Sequence, residues 1–385
     1  MKKIIASALG LMLVGGVAAS TASAVENQFG GYWRTRAFVQ DEFTPGESTW
    51  RIDNRTRLYY TAKFNDDFKF VNKFEFNSIW GDDQGGDIGS DGSTWKVKHS
   101  YIDANFGTTR VKLGIQGTVI ARGFLFDDDF SGAMVTADFG GVSVTPFYAA
   151  VSTEDGGNQD FDQHLFGVVA SVKISDAISL TPFVVYNYAD SAMVMTDDVE
   201  VLEGDIENLY VGTDFDMQMD AVSVWGTFIY NGYTIQDVDG DAFLGALGVD
   251  AGIAHGQAFY ATGDDAFVSA PGQSYYWSEI LGYGVFDNEA VGGVGDQISN
   301  VMALNAGVTL KPMDKLKIDA DIWYAMLAED NAAGDDELGL EFDGKLTYAL
   351  MDNLNAELIL AYLVAGDAVG DDDVFEGGVR VSLKF

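Results

Sequence analysis

The last twelve residues, VFEGGVRVSLKF from Val374 to Phe385, constrain the fold more than any other stretch. Phe375, Gly377, Val379, Val381, Leu383 and Phe385 fall on one side of an extended strand. Glu376, Gly378, Arg380, Ser382 and Lys384 fall on the other. This is period-2 alternation, and it runs to an aromatic residue at the final position. Termini of soluble domains usually fray into water. A strand of this kind needs a hydrogen-bonding neighbour on each edge and an apolar medium against one face. The expected fold is all-β: a transmembrane antiparallel β-barrel closed by this strand, with the preceding chain arranged as hairpins.

The rest of the chain carries its apolar character the same way. Beyond the amino-terminal segment there is no run of 18 apolar residues, which excludes a helical membrane protein,. A barrel delivers hydrophobicity by alternation instead. Residues 1–24 read as a secretory signal, with Lys2 and Lys3, an apolar stretch from Ile4 to Val17, and the small-residue site Ala22-Ser23-Ala24,. Residues 25–385 are then the barrel, with no linker or composition break.

Eighteen strands are expected, at 28–40, 51–64, 67–80, 94–106, 109–117, 131–139, 142–151, 162–174, 178–189, 206–217, 220–235, 241–249, 253–262, 300–311, 315–327, 337–350, 353–366 and 374–385. The pair at 241–262 has the weakest pattern, and reading it as loop gives sixteen. Tight turns such as Asn65-Asp66, Gly107-Thr108 and Gly140-Gly141 alternate with long acidic loops, the rule for barrels with a short-turn end and a long-loop end. The longest loop is 263–299.

Absent residue types narrow the function. With no cysteine the chain has no disulfide, thiolate metal site or covalent haem attachment,. His99, His164 and His255 are scattered, so no metal site, cofactor or catalytic set is expected, and an outer-membrane protease or lipase lacks its histidine beside a serine motif. A net charge of −37 argues against nucleic acid and other anionic partners,. Asp237 to Asp241 hints at a calcium loop, but its glycine is misplaced and no bidentate glutamate follows, so it reads as a solvated acidic loop. Tyr275, Tyr276 and Trp277 are loop anchors or girdle residues, with a sugar-stacking platform as the other reading.

The basic residues are concentrated. Thirteen of the 22 lysines and arginines lie between Arg34 and Arg122. An arginine on the lipid face costs about 2–4 kcal/mol at the midplane. Arg34, Arg36, Arg51, Arg55, Arg57, Lys69, Lys73, Arg110 and Lys112 are therefore expected to line a wet pore. Later strands direct Asp319, Asp321, Glu341, Asp343 and Glu357 inward, which puts a field across the lumen.

These features resemble those of the bacterial outer-membrane porins. Val381, Leu383 and Phe385 are similar to the carboxyl-terminal signal read by the outer-membrane assembly machinery. The run ELGLEFDGKLTYALMDNLNAELILAYLVAGD, within 337–385, looks like the last strands of large-barrel porins of the alginate-export kind and their delta-class proteobacterial relatives. VKHSYIDANFGTTRVKLGIQG is similar to a segment there that often carries arginine before its glutamine. Here Ile115 precedes Gln116, a departure from an alginate-specific pore.

The resemblance implies a non-enzymatic, water-filled channel in the cell outer membrane for passive diffusion of small hydrophilic solutes or ions. It also implies contact with lipid and lipopolysaccharide, and a homotrimer as one assembly state. In such porins the third outer loop folds inward. Here that loop is 118–130, with Arg122, Asp127, Asp128 and Asp129, and the aspartates are expected to meet Arg34, Arg36, Arg55 and Arg57 at a constriction. The alternative is a barrel sleeve of an electron conduit, in which a partner multihaem cytochrome supplies every haem.

Overall fold

The computed structural model describes residues 25–82, 85–89, 94–152, 162–189, 205–235, 237–287 and 290–385. The expected signal at 1–24 and much of the acidic loops at 81–93, 152–161 and 190–205 lie outside the described residues. Within them the chain forms eighteen strands. They are β1 (Glu26–Asp41), β2 (Ser48–Lys63), β3 (Phe68–Ile79), β4 (Thr94–Phe106), β5 (Thr109–Ile120), β6 (Phe126–Asp138), β7 (Val142–Ser152), β8 (Gln163–Lys173) and β9 (Ile178–Ala189). The second half holds β10 (Ile206–Met219), β11 (Val222–Ile235), β12 (Val238–Ala251), β13 (Ala254–Ala261), β14 (Val301–Met313), β15 (Leu316–Leu327), β16 (Glu337–Met351), β17 (Leu354–Ala365) and β18 (Val374–Lys384).

Each strand pairs antiparallel with its neighbours in sequence, and β18 pairs with β1 from Tyr32↔Lys384 to Asp41↔Phe375. The sheet is therefore closed into a ring, with no strand lacking a partner on either side,. Past the end of β18, the Gly31 N–H donates to the Phe385 carbonyl at 2.7 Å and the Phe385 N–H returns to Gly31 at 3.1 Å.

Gly31 has a packing reason to be glycine. A Cβ there would fall on the Phe385 ring and 2.7 Å from the Arg57 carbonyl. Gly31→Val is expected to destabilise the closing seam by about 1–3 kcal/mol, the usual scale of overpacking. The check is the temperature at which the folded, fast-migrating band is lost on gels. An unchanged temperature would show that the seam tolerates the side chain.

Alternation sorts side chains between two media. Along β10, Leu209 and Val211 are exposed while Asn208 and Tyr210 are buried. On β11, Phe228 and Tyr230 are exposed, and Thr227, Ile229 and Asn231 are buried. Leu304, Ile322, Leu358, Leu360 and Val379 continue the exposed apolar belt around the wall. Such a belt is stable only against an apolar medium, and a closed barrel leaves no backbone polar group unpaired within it.

The segment at 241–262 forms the hairpin of β12 and β13, so the strand number is eighteen, not sixteen. Its alternation is faint because its inner face is apolar too. Phe243 and Leu247 face out, while Leu244, Phe259 and Ala261 are buried inside against other chain segments. Asp239 and Asp241 lie in β12 and accept from the hydroxyls of Thr234 and Tyr230.

Candidate functional site: the lumen and its constriction

Two segments fill the lumen. The first is the β5–β6 hairpin. Pairing of β4 to β5 ends at Ser100↔Ile115, and pairing of β6 to β7 begins at Ser131↔Ala150. Between those points β5 and β6 pair only with each other, down to Ile120↔Phe126. Freed from both outer neighbours, the hairpin leaves the wall and reaches across the barrel. Its tip turns through positive φ at Ala121, Arg122 and Gly123. Gly123 is required there, because a Cβ would strike the Ser274 carbonyl. The Arg122 Nη2 donates to Asp216 Oδ1 at 2.5 Å, and the guanidinium lies 4.9 Å from the Trp225 ring. Both partners are on another part of the wall, strands β10 and β11.

The second segment joins β13 to β14. Its ends are adjacent, because Ala261 pairs with Val301 and the Asn300 N–H donates to the Thr262 carbonyl. Between them Phe267, Trp277, Ile280, Leu281, Phe286 and Ile298 are buried. All but Phe286 share one apolar cluster with inward side chains of the wall, including Tyr210, Ile229, Leu244, Phe259, Trp323 and Leu363, and Phe286 packs separately with Phe38 and Ile359. The two segments also hold each other. Phe124 stacks on Tyr275 with ring centres 3.7 Å apart, and Gln273 Nε2 donates to the Phe124 carbonyl at 2.6 Å.

Polar contacts clamp this loop to the wall at two places, on β16 and on β1–β2, which lie on the same side of the barrel about its closing seam. On β16 the buried carboxylate of Glu341 accepts from the Ile280 N–H at 2.6 Å, the Leu281 N–H at 3.0 Å and the Ser278 hydroxyl at 2.9 Å. Asp343 accepts from the Glu279 N–H at 3.2 Å. Burial pushes the Glu279 carboxyl up from its ordinary range, with the Val285 N–H working against it.

The other clamp is Asp287 against the basic wall. Its Oδ2 lies 2.8 Å from Arg34 Nη2, 2.8 Å from Arg36 Nη1 and 3.7 Å from Arg55 Nη2. Burial alone would raise the Asp287 carboxyl, but the guanidiniums of Arg36, Arg34 and Arg55 outweigh it and hold it below the ordinary carboxylate value. The clamp is thus fully present above the ordinary range and is lost only as pH falls through the lowered value.

The remaining basic residues are placed as follows. Arg36 forms a bidentate pair with Asp53 at 2.9 and 2.5 Å. Arg57 meets Glu75 at 2.7 Å. Lys69 and Arg110 share Asp103 at 3.3 and 2.5 Å, and the Lys112 ammonium lies 5.6 Å from the Tyr101 ring. Arg51 lies 5.9 Å from the Phe38 ring, and Lys73 registers opposite His99.

The expected constriction needs correcting in two respects. Residues 118–130 are not an open loop. They are the ends of β5 and β6 with a tight turn between them. Asp127, Asp128 and Asp129 lie on β6 and do not meet the arginine wall. Asp129 pairs with Lys98 at 2.5 Å and His99 at 2.9 Å, and Asp128 lies 3.7 Å from Lys98. The hairpin's own pairing holds Asp128 and Asp129 beside β4, the Asp127 N–H donates to the Gly272 carbonyl, and the acid that reaches Arg34, Arg36 and Arg55 comes from a different loop. Of the three aromatics in that loop, Tyr275 donates to Gln257 at 2.7 Å and Trp277 to the Gly295 carbonyl at 2.9 Å, both as anchors. Tyr276 stays 57% exposed and stacks on Tyr283.

Among the described residues, two cavities are lined by both Arg34 and Asp287. The smaller, of about 280 Å³, lies toward the long-loop end beside Arg51, Arg55, Ile79 and Asp82. The larger, of about 690 Å³, lies toward the short-turn end beside Asp250, His255, Lys317, Asp319 and Asp321. The ion cluster at Asp287 is the partition between them.

No family model and no curated protein matches this chain. Solved structures do. Pseudomonas aeruginosa OccK9 (OpdG) superposes with a TM-score of 0.65 at 13% identity, covering 94% of this chain and 99% of that one. The outer membrane protein OpdK from the same organism gives 0.63 at 13% identity, with 94% and 98% covered, and it has also been solved with vanillate. Acinetobacter baumannii OccAB4 gives 0.62 at 12% identity, with 95% and 100% covered. Similarity at this identity is similarity of fold, and it extends along nearly the whole chain.

Proposed function

We propose that this protein is a channel of the bacterial outer membrane that passes small hydrophilic solutes or ions by diffusion. The observation that carries this reading is the sorting of side chains across one closed wall, apolar outward and charged inward. A charged inner wall around a restricted aqueous path is how pores select. The similarity to an outer membrane protein supports the location, and OpdK with vanillate is a precedent for a small solute on this fold. Export by residues 1–24, and recognition of Val381, Leu383 and Phe385 by the assembly machinery, belong to the same reading.

The pore-lining role falls to Arg34, Arg36, Arg55 and Arg57, whose side chains face the loop-filled lumen. A sleeve for a cytochrome is disfavoured, because the chain's own hairpin and loop occupy the space a folded partner would need. The test is ion current through the purified protein in a planar bilayer. Wild type is expected to conduct, and Arg55→Glu combined with Arg57→Glu is expected to shift selectivity toward cations. A conducting double variant with unchanged selectivity would remove these arginines from the path, and a wild-type protein that never conducts would remove the channel.

A further inference from the structure

We propose that the cradle formed by Arg34, Arg36 and Arg55 is a binding site for a compact dianion, of the sulfate or hydrogen-phosphate class, and that Asp287 is its built-in occupant. The inference rests on the channel reading and goes further, naming the ligand and what it displaces.

Three guanidiniums converge on a single oxygen, Asp287 Oδ2. One carboxylate is outnumbered there. Arg34, Arg36, Arg51 and Arg55 line the smaller cavity against Asp53, Asp82 and Asp287. Behind them Glu75 lies 3.6 Å from Arg55 and 2.7 Å from Arg57; with that pair included, five positive groups face three negative ones, Asp53, Glu75 and Asp82, once the Asp287 carboxylate is gone. A dianion restores neutrality, whereas a monoanion leaves a buried positive charge uncompensated.

Arg34 adds an independent observation. It is only 7% exposed, and its Nε has no hydrogen-bond partner. A buried guanidinium N–H without an acceptor is a donor available to a ligand with more oxygens than one carboxylate offers. An oxyanion with four oxygens can accept from several guanidinium edges at once.

Asp287 is suited to leave. Its φ of 55° lies in the left-handed region, which disfavours a residue bearing a side chain,. It belongs to the loop, whereas the cradle belongs to β1 and β2, so it can withdraw without disturbing strand pairing. Because Asp287 and Arg34 border both cavities, its withdrawal joins them. The anion would then both occupy the cradle and open the path through it.

The experiment uses the full chain in detergent and titrates sulfate calorimetrically at constant ionic strength, with chloride and acetate as monoanion comparisons. Wild type is expected to bind sulfate more tightly than acetate. Asp287→Ala is expected to tighten sulfate by about tenfold or more, because the cradle is no longer held by its own carboxylate. Arg34→Gln is expected to abolish the gain in the Asp287→Ala background. Sulfate and acetate binding equally, or Asp287→Ala leaving sulfate affinity unchanged, would overturn the proposal. If Arg34→Gln folds poorly, Arg55→Gln is the second variant, since its 3.7 Å contact is the longest of the three to Asp287, and its other partners are Asn77 and Glu75. Calorimetry needs no conduction, so failure here is separable from failure of the channel reading.

Discussion

Replacing residues 264–298 with a short glycine–serine turn is expected to leave an assembled barrel whose single-channel conductance is raised severalfold. The wall does not need the loop. Ala261 and Val301 are already paired at its base, and the Asn300 N–H already donates to Thr262. The loop's buried apolar residues occupy the middle of the lumen, so their removal merges the two cavities and leaves only the β5–β6 hairpin inside. The variant should also melt at a lower temperature, because Tyr210, Phe259, Trp323 and Leu363 lose their cover, and burying a side chain of that size is worth about 1.5–3 kcal/mol. Bilayer recording checks the conductance. A variant that assembles and conducts like wild type would show that the loop does not obstruct the path.

Glu341→Ala is expected to open the channel by a gentler route, giving noisy currents with a raised mean and faster protease cleavage between Ser278 and Phe286. Its carboxylate satisfies two buried amides and one hydroxyl. A buried donor left without an acceptor costs about 1–3 kcal/mol. Three such donors exceed what a loop foot of this size can absorb, so the foot should detach. Glu341→Gln retains one acceptor and removes a charge beside Asp343, so its effect should be smaller. Equal currents from wild type and Glu341→Ala would assign the anchoring to the apolar contacts alone.

The barrel wall was legible because each strand carries its own periodic signal, and β18 shows it most clearly. Legibility failed wherever both faces of a strand are apolar. β12 and β13 looked weak because Leu244, Phe259 and Ala261 pack on the loop rather than facing water. The inward hairpin was seen as a place but not as a structure, because loss of outer neighbours at Ile115 and Ser131 leaves no mark in local sequence. The partner of the arginine wall could not be read at all. Asp287 is 253 residues from Arg34 in the chain. A signal for the loop's position did exist. Phe267, Trp277, Ile280, Leu281, Phe286 and Ile298 are too apolar for a solvated outer loop, and that composition marks a segment with an interior to enter.

The offset between the two cavities has an electrical consequence. A solute passing from the smaller cavity to the larger would move from arginines on β1 and β2 to a mixed set, aspartates on β12, β15 and β16 beside Lys317, Lys345 and Arg380, so its surroundings become less basic as it moves sideways. A charge gradient of this kind is expected to make the current rectify, larger at one sign of voltage than at the other, which bilayer recording at both signs would check.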